Sequence, residues 1–268
     1  MMKKRIIKWF KIIAVLYIVI GVILYFIQEK LLFHPVQLPR SYQYQFNVPF
    51  KEMDIAINKH DTLNLVQFYP DKGPRKGVVL YFHGNKENVN NYAMYADNFT
   101  RSGYEVWIED YPGFGKSTGE RTEKNLNLQA WELYKMAMAK YAADSIIIYG
   151  KSFGTGIAAY VASNARCRRL ILETPYYSIP DLFNCYAPIY PVELASHYKF
   201  RINQYLPDVK DPITIFHGTN DWIIPYRCAA KLKKYLKPTD EFVSIEEGSH
   251  NTLNDYPLFH QKLDSLLR

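Results

Sequence analysis

Cysteine is scarce in this sequence of 268 residues, which has three: Cys167, Cys185 and Cys228. Because the number is odd, the cysteines cannot form a complete disulfide framework, and at most one pair could bridge. No C-x-x-C pair and no cluster of cysteine with histidine is present, so we expect no zinc site. Nothing in the spacing favours one pair over another, and the sequence predicts unpaired, buried thiols.

Acidic residues are missing from the first eleven positions, which carry five basic side chains: Lys3, Lys4, Arg5, Lys8 and Lys11. These account for most of the net charge of +7, since the rest of the chain has 28 basic and 26 acidic side chains. A nearly neutral domain lacks the basic surface that a phosphate backbone requires. We therefore expect no nucleic-acid partner.

Two Gly-Lys-Ser triplets, at 115–117 and 150–152, lack the earlier glycine of a phosphate-binding P-loop. That motif needs a glycine five positions before the Gly-Lys pair, and those positions hold Asp110 and Ser145. The sequence therefore excludes a P-loop, and we expect that the protein needs neither an organic cofactor nor a metal.

Charged residues are also absent from 12–27, where every residue is apolar, aromatic or glycine. A helix needs roughly 20 such residues to cross the hydrocarbon core, and Trp9 and Phe10 extend the run. We predict that residues 1–28 are a single-pass membrane anchor. The basic residues before it place the N-terminus in the cytoplasm and the rest of the chain on the outer side. A cleaved secretory signal and a buried core helix remain as alternatives.

Beyond the anchor, strand-like apolar runs alternate with helix-like stretches, a pattern typical of a mainly parallel sheet with helices on both faces. We predict an eight-stranded sheet in an α/β domain of residues 29–268. A Tyr- and Pro-rich stretch, 175–211, interrupts the alternation and is predicted to form a small cap. The eight predicted strands are 51–57, 63–69, 77–82, 104–108, 145–149, 169–172, 212–216 and 241–245. The first two form a pair separated by the turn signal at 58–61.

The G-x-S-x-G motif at 150–154 lies directly after the run SIIIY and before a helix-like stretch. This strand-turn-helix context presents a serine hydroxyl at the edge of a sheet. The turn is so sharp that a side chain at Gly150 or Gly154 would collide with backbone. The helix N-terminus adds a partial positive charge. Ser152 is therefore the predicted nucleophile.

A serine hydroxyl is a weak nucleophile without a base, and in this strand-turn-helix arrangement the acid and then the histidine follow the serine along the chain. Asp221 follows the run PITIF, and His250 follows the run EFVSI. We predict that His250 is the general base and that Asp221 orients it. Glu173, after the run RLIL, is the alternative acid.

The oxyanion hole of such a site needs two backbone N–H groups. One should come from the residue after the nucleophile, which is Phe153, and the other from the loop after the third strand. That loop contains Asn85, whose N–H we predict to be the second donor.

Five segments together resemble the landmarks of the α/β-hydrolase superfamily: 82–85, 110–120, 149–156, 212–221 and 246–250. More narrowly, the chain resembles the single-pass membrane-anchored hydrolases related to serine aminopeptidase-like lipases and protein depalmitoylases. The segment 29–35 (EKLLFHP) is similar to that subgroup as well. The resemblance begins near residue 12. It implies the α/β-hydrolase fold, a triad of Ser152, Asp221 and His250, and an oxyanion hole at Asn85 and Phe153.

These observations predict a serine hydrolase that cleaves a carboxylic ester or thioester, of a small molecule or a lipid, through an acyl-enzyme. An amidase or peptidase is an alternative, because the same triad cuts amides. A non-catalytic binding protein on a hydrolase fold is another, which a missing triad residue would favour. The sequence does not indicate the oligomeric state.

Overall fold

The computed structural model describes residues 2–268, whose centre is an eight-stranded sheet. The strands are β1 (Phe50–Ala56), β2 (Thr62–Phe68), β3 (Gly77–Phe82), β4 (Tyr104–Glu109), β5 (Ile146–Lys151), β6 (Arg169–Glu173), β7 (Ile213–Gly218) and β8 (Glu241–Ile245). Their spatial order is β8-β7-β6-β5-β3-β4-β2-β1, and all neighbours are parallel except β1 with β2 and β2 with β4. The predicted eight-stranded, mainly parallel sheet is confirmed.

Helices cover both faces of the sheet. They are α1 (Met2–Leu32), α2 (Val89–Tyr92), α3 (Asp97–Thr100), α4 (Glu123–Met138), α5 (Gly154–Asn164), α6 (Ile179–Tyr186), α7 (Val192–Ala195), α8 (Ile202–Tyr205), α9 (Tyr226–Ala229) and α10 (Pro257–Leu266). Short 3-10 turns occur at Ala93–Tyr95, Ala143–Ser145, Leu206–Asp208, Ala230–Tyr235 and Leu253–Asp255. The long helix α4 begins where the Thr122 side chain accepts a hydrogen bond from the Asn125 N–H at 3.2 Å, which satisfies one free donor of its first turn.

The central strands are apolar along their length because both of their faces are covered. Successive side chains of a strand point to opposite faces. Leu80 of β3 accordingly belongs to the layer that contains Ile157 of α5, whereas its neighbour Tyr81 belongs to the layer that contains Phe259 of α10. Strand β5 is covered in the same way, with Ile148 in the first layer and Ile147 in the second, and it leads into the G-x-S-x-G turn.

Helix α1 is the one helix among the described residues that is long and apolar enough to cross a membrane, by length and composition alone. It continues past the predicted anchor boundary at residue 28 and ends at Leu32. The next residue, Phe33, is buried against Phe153 and Tyr198, with ring centroids 4.8 and 5.0 Å away. The C-terminal end of α1 is therefore joined to the core of the domain.

The segment 175–211, which we call the cap, holds helices α6, α7 and α8. A disulfide bond joins Cys185 in α6 to Cys228 in α9, and Cys167 is free and buried. The prediction of unpaired thiols is therefore wrong for two of the three cysteines. The two partners are 43 residues apart in sequence and meet only because the cap folds back over α9, which spacing alone does not indicate.

Candidate active site

Ser152 lies in the turn between β5 and α5 with a backbone φ of +52°, a left-handed conformation that is unusual for a side chain larger than glycine. A Cβ atom at Gly150 would lie 2.6 Å from the carbonyl oxygen of Gly154, and one at Gly154 would overlap the Phe82 carbonyl. The Ser152 N–H donates to the Glu173 carbonyl oxygen of β6 at 2.8 Å. The strained turn is thus held by close backbone packing, as such strain requires.

The structure brings Ser152, His250 and Asp221 together from three separate loops. His250 Nε2 lies 2.8 Å from Ser152 Oγ, and His250 Nδ1 lies 2.8 Å from Asp221 Oδ2. All three side chains are buried or nearly so. A proton can therefore pass from the serine to the imidazole, whose other nitrogen faces a carboxylate.

Asp221 is held in place by its own loop. Its Oδ1 accepts hydrogen bonds from the N–H groups of Ile223 and Ile224 at 2.9 and 2.8 Å, which leaves Oδ2 for His250. A second imidazole, His217, lies 3.5 Å from Oδ2 and donates through Nε2 to the Ile224 carbonyl oxygen at 2.9 Å. Burial lowers the pKa of His217, which favours its neutral form. The aspartate is thus fixed in the orientation that meets His250.

Glu173, the alternative acid, has different partners. Its carboxylate accepts hydrogen bonds from the side chains of Lys151 and Tyr149, and the Asn254 amide lies 3.4 Å away. Within residues 2–268 no hydrogen bond joins Glu173 to His250. Glu173 and Lys151 instead form a buried ion pair. The pair links β6 to the end of β5, where Lys151 directly precedes the nucleophile.

Asn85 follows β3 and lines the same cavity as Ser152. The Asn85 side-chain amide donates to the Leu32 carbonyl oxygen at the end of α1. The backbone carbonyl oxygen of Asn85 accepts a hydrogen bond from the His34 N–H at 2.9 Å. In the part of the chain that the structure describes, the N–H groups of Asn85 and Phe153 donate to no other residue. Both are therefore available for an oxyanion.

His83 forms the base of the Asn85 loop. Its ring stacks on Tyr111 with centroids 4.1 Å apart, and its Nδ1 lies 2.7 Å from the Gly84 carbonyl oxygen. Burial lowers the pKa of His83 to about 3, so the ring stays neutral at ordinary pH. A neutral, stacked imidazole fixes the loop and does not compete with His250 as a base.

The cavity above Ser152 has a volume of about 480 Å³, within the range of roughly 300–1,000 Å³ that is common for small-molecule sites. Polar side chains, including Lys86 and Asn91, line one part of it, whereas Leu31 and Ile223 contribute apolar surface. The site can therefore receive a substrate that has a polar and an apolar part.

Several known proteins are similar to this chain in sequence. A family model described as serine aminopeptidase, S33, matches residues 73–200. Alpha/beta hydrolase domain-containing protein 17C of Xenopus tropicalis is 26% identical over 198 residues, which are 71% of this chain and 61% of that protein. The human protein of the same name is 24% identical, with coverage of 71% and 57%. The chain thus spans about three fifths of the length of these relatives.

Solved structures share the fold. An esterase of Pyrococcus furiosus superposes with a TM-score of 0.67 at 17% identity, covering 88% of this chain and 98% of that one. Est1E of Butyrivibrio proteoclasticus, solved with ferulic acid bound, superposes with a TM-score of 0.63 at 19% identity and coverage of 80% and 96%. The chain has the α/β-hydrolase fold. The resemblance described from the sequence is confirmed at this level.

Three features of the candidate site were not predicted from the sequence. They are the Lys151–Glu173 ion pair beneath the nucleophile, the hydrogen bond from the Asn85 side chain to α1, and the presence of Leu31 in the cavity. Each depends on contacts between distant segments. The similarity of segment 29–35 to the membrane-anchored subgroup was the one feature of the sequence that indicated that the end of α1 contacts the site.

Proposed function

We propose that this protein is a serine hydrolase that cleaves a carboxylic ester or thioester through an acyl-enzyme on Ser152. The observation that carries the proposal is the unbroken sequence of hydrogen bonds from Ser152 through His250 to Asp221, with 2.8 Å at both steps. The hydrolase domain named in the matched relatives and the esterase with the same fold support this reaction.

In this mechanism His250 Nε2 accepts the Ser152 proton while Oγ attacks the substrate carbonyl carbon. The negative charge that develops on the carbonyl oxygen is stabilised by the N–H groups of Phe153 and Asn85. The tetrahedral intermediate collapses, and protonated His250 gives its proton to the leaving alcohol or thiol. Water then repeats the sequence, with His250 as its base, and releases the carboxylic acid and free Ser152.

A Ser152→Ala variant tests the proposal directly. It should lose covalent labelling by a fluorophosphonate and nearly all turnover of p-nitrophenyl acetate, because it removes the hydroxyl that faces His250. Ser249→Ala, which alters a neighbouring loop hydroxyl, is the matched control and should keep both. An adduct located by mass spectrometry on Ser249 or Ser117 would overturn the assignment.

An amidase or peptidase is the second candidate, and the match to a serine aminopeptidase family is the observation that favours it. The same triad cleaves amides, so geometry alone does not distinguish the two. The ratio of kcat/KM for an aminoacyl p-nitroanilide to that for the corresponding ester decides between them. A preference for the anilide would replace the esterase proposal.

We propose further that α1 crosses a membrane with its N-terminus in the cytoplasm and the catalytic domain, residues 29–268 with its cap, on the outer side. The five basic residues before the apolar run support this orientation. The Cys185–Cys228 disulfide supports it independently, since disulfides persist mainly in oxidising compartments outside the cytoplasm.

A further inference from the structure

A second cavity lies between helix α1 and the cap, with a volume of about 470 Å³. We call it the groove. Its walls are almost entirely apolar, with Val22 on the helix side and Phe183 on the cap side. The helix lies close to the cap here: the Tyr17 and Tyr190 rings stack with centroids 4.7 Å apart, and a Cβ at Gly21 would lie 3.0 Å from the Tyr190 ring. The groove is therefore a defined feature of the helix–cap contact.

The groove and the catalytic cavity meet at one residue. Leu31 lines the groove with the cap residues and also lines the cavity that holds Ser152 and His250. From Tyr17 to Leu31 the helix rises about 21 Å at 1.5 Å per residue. An apolar path of that length therefore runs along α1 and ends beside the nucleophile.

The position of the groove relative to a bilayer follows from the length of α1. Residues 2–16 precede the cap contact, and they are too few to span the roughly 20 residues of a hydrocarbon core and include five basic side chains. A crossing helix must therefore use residues that face the cap. The cap carries Ile189 and Leu194 at its surface, 69% and 86% exposed, and such side chains suit contact with lipid.

We propose that the groove binds the hydrocarbon chain of a long-chain acyl ester or thioester that enters directly from the bilayer. The chain lies between α1 and the cap and passes Leu31, which brings the carbonyl carbon to Ser152 Oγ. The polar leaving group then faces Lys86 and Asn91 in the catalytic cavity. This inference rests on the proposed esterase function and adds the substrate class and its route of entry.

Two adjacent residues of α1 provide a matched test. Val22 and Ile23 are both β-branched and both 50% exposed, but Val22 lines the groove and Ile23 does not. Full-length wild-type protein, Val22→Trp and Ile23→Trp are reconstituted in phosphatidylcholine vesicles. Hydrolysis of p-nitrophenyl palmitate held in the vesicles and of water-soluble p-nitrophenyl acetate is then measured for each.

Val22→Trp fills the groove and should lower the ratio of palmitate to acetate hydrolysis at least 10-fold, whereas Ile23→Trp should change it less than 2-fold. The phenylalanine side chain is smaller than that of tryptophan, so Val22→Phe should give an intermediate ratio. It replaces Val22→Trp in the comparison if the tryptophan variant does not fold. Equal ratios in the Val22 and Ile23 variants would overturn the inference. A wild-type protein that cleaves the acetate but not the palmitate would overturn it and leave the esterase proposal standing, whereas cleavage of neither would overturn both.

Discussion

The geometry favours Asp221 as the acid that orients His250. One carboxylate oxygen of Asp221 accepts hydrogen bonds from its own loop, and the other faces His250. Asp221→Asn would place an amide where a carboxylate faces the imidazole, and the imidazole would then turn or adopt the wrong tautomer. We expect kcat for p-nitrophenyl acetate to fall roughly 10⁴-fold. Glu173→Gln is the control and should keep far more activity. The reverse order of the two variants would make Glu173 the triad acid.

We expect the buried carboxyl group of Glu109 to make the free energy of unfolding depend on pH. Burial, aided by the nearby charge of Asp110, raises the pKa of Glu109 to about 8 from an ordinary value of 4.5, and its Oε2 has no partner among the described residues. The folded state then binds the proton more tightly than the unfolded state. The free energy of unfolding therefore falls as pH rises from about 4.5 to 8, by at most about 1.4 kcal/mol per pH unit.

The pKa values of other buried groups determine the pH range in which the effect of Glu109 on stability is best measured. Burial raises the pKa of Asp110 to about 7, which has the same sign, whereas the low pKa of His83 reduces stability only as pH falls below about 6.5. We expect the Tm of detergent-solubilised protein to fall between pH 6.5 and 8, and to fall less steeply in Glu109→Gln. Glu132→Gln, on the surface, is the control. Parallel Tm curves for the wild type and the Glu109 variant would contradict this account.

The separate residues of the site could be found from sequence because each lies in the turn or loop that follows a strand of a parallel sheet. Ser152 follows β5, Asp221 follows β7 and His250 follows β8, and the carboxyl ends of these strands meet at one edge. What these residues do remains a prediction until the variants are measured. The side-chain role of Asn85 was not predictable, because its acceptor Leu32 lies 53 residues earlier in the chain.

Among the secondary-structure elements, α6 and α9 are joined by the Cys185–Cys228 disulfide, which links the cap to the segment after the Asp221 loop. Replacing both cysteines by serine removes a cross-link that closes 43 residues. We expect a loss of about 2–4 kcal/mol in the free energy of unfolding. Differential scanning calorimetry with and without reductant checks this. Reductant should lower the Tm of the wild type but not of the double variant, and no effect on either would contradict the link.

Strands and helices with a clear local sequence pattern could be predicted. Elements that form through contacts with distant segments of the chain could not. Apolar runs located the central strands of the sheet, since strands covered on both faces have continuous apolar sequences. The turn signal at 58–61 located the outer pair, β1 and β2. The two-residue strand His34–Pro35 has no such pattern and exists because it pairs with Lys86–Glu87. Helix α1 likewise extends to Leu32 because the Asn85 side chain donates a hydrogen bond to the Leu32 carbonyl oxygen and the next residue, Phe33, is buried.

At the scale of the whole molecule, α1 connects the proposed membrane attachment to the candidate active site. Its C-terminal end is hydrogen-bonded to the Asn85 loop, and Gln28 bonds to the cap through the Ala195 carbonyl oxygen at 3.2 Å and the His197 N–H at 2.7 Å. A soluble domain with a separate anchor would show no such contacts. The helix is therefore a wall of the proposed substrate path as well as the proposed attachment to the bilayer.

The two roles of α1 can be separated by removing residues 1–27, which leaves Gln28 and its cap contacts intact. Full-length protein should stay in the membrane fraction after a sodium carbonate wash, because a spanning helix resists both salt and high pH. The shortened protein should be soluble and should cleave p-nitrophenyl acetate, but it should lose its preference for long acyl chains because one wall of the groove is gone. Release of the full-length protein by salt would instead indicate electrostatic attachment through the basic residues at 3–11. An unfolded shortened protein would mean that α1 is part of the core, and the anchor proposal would fail.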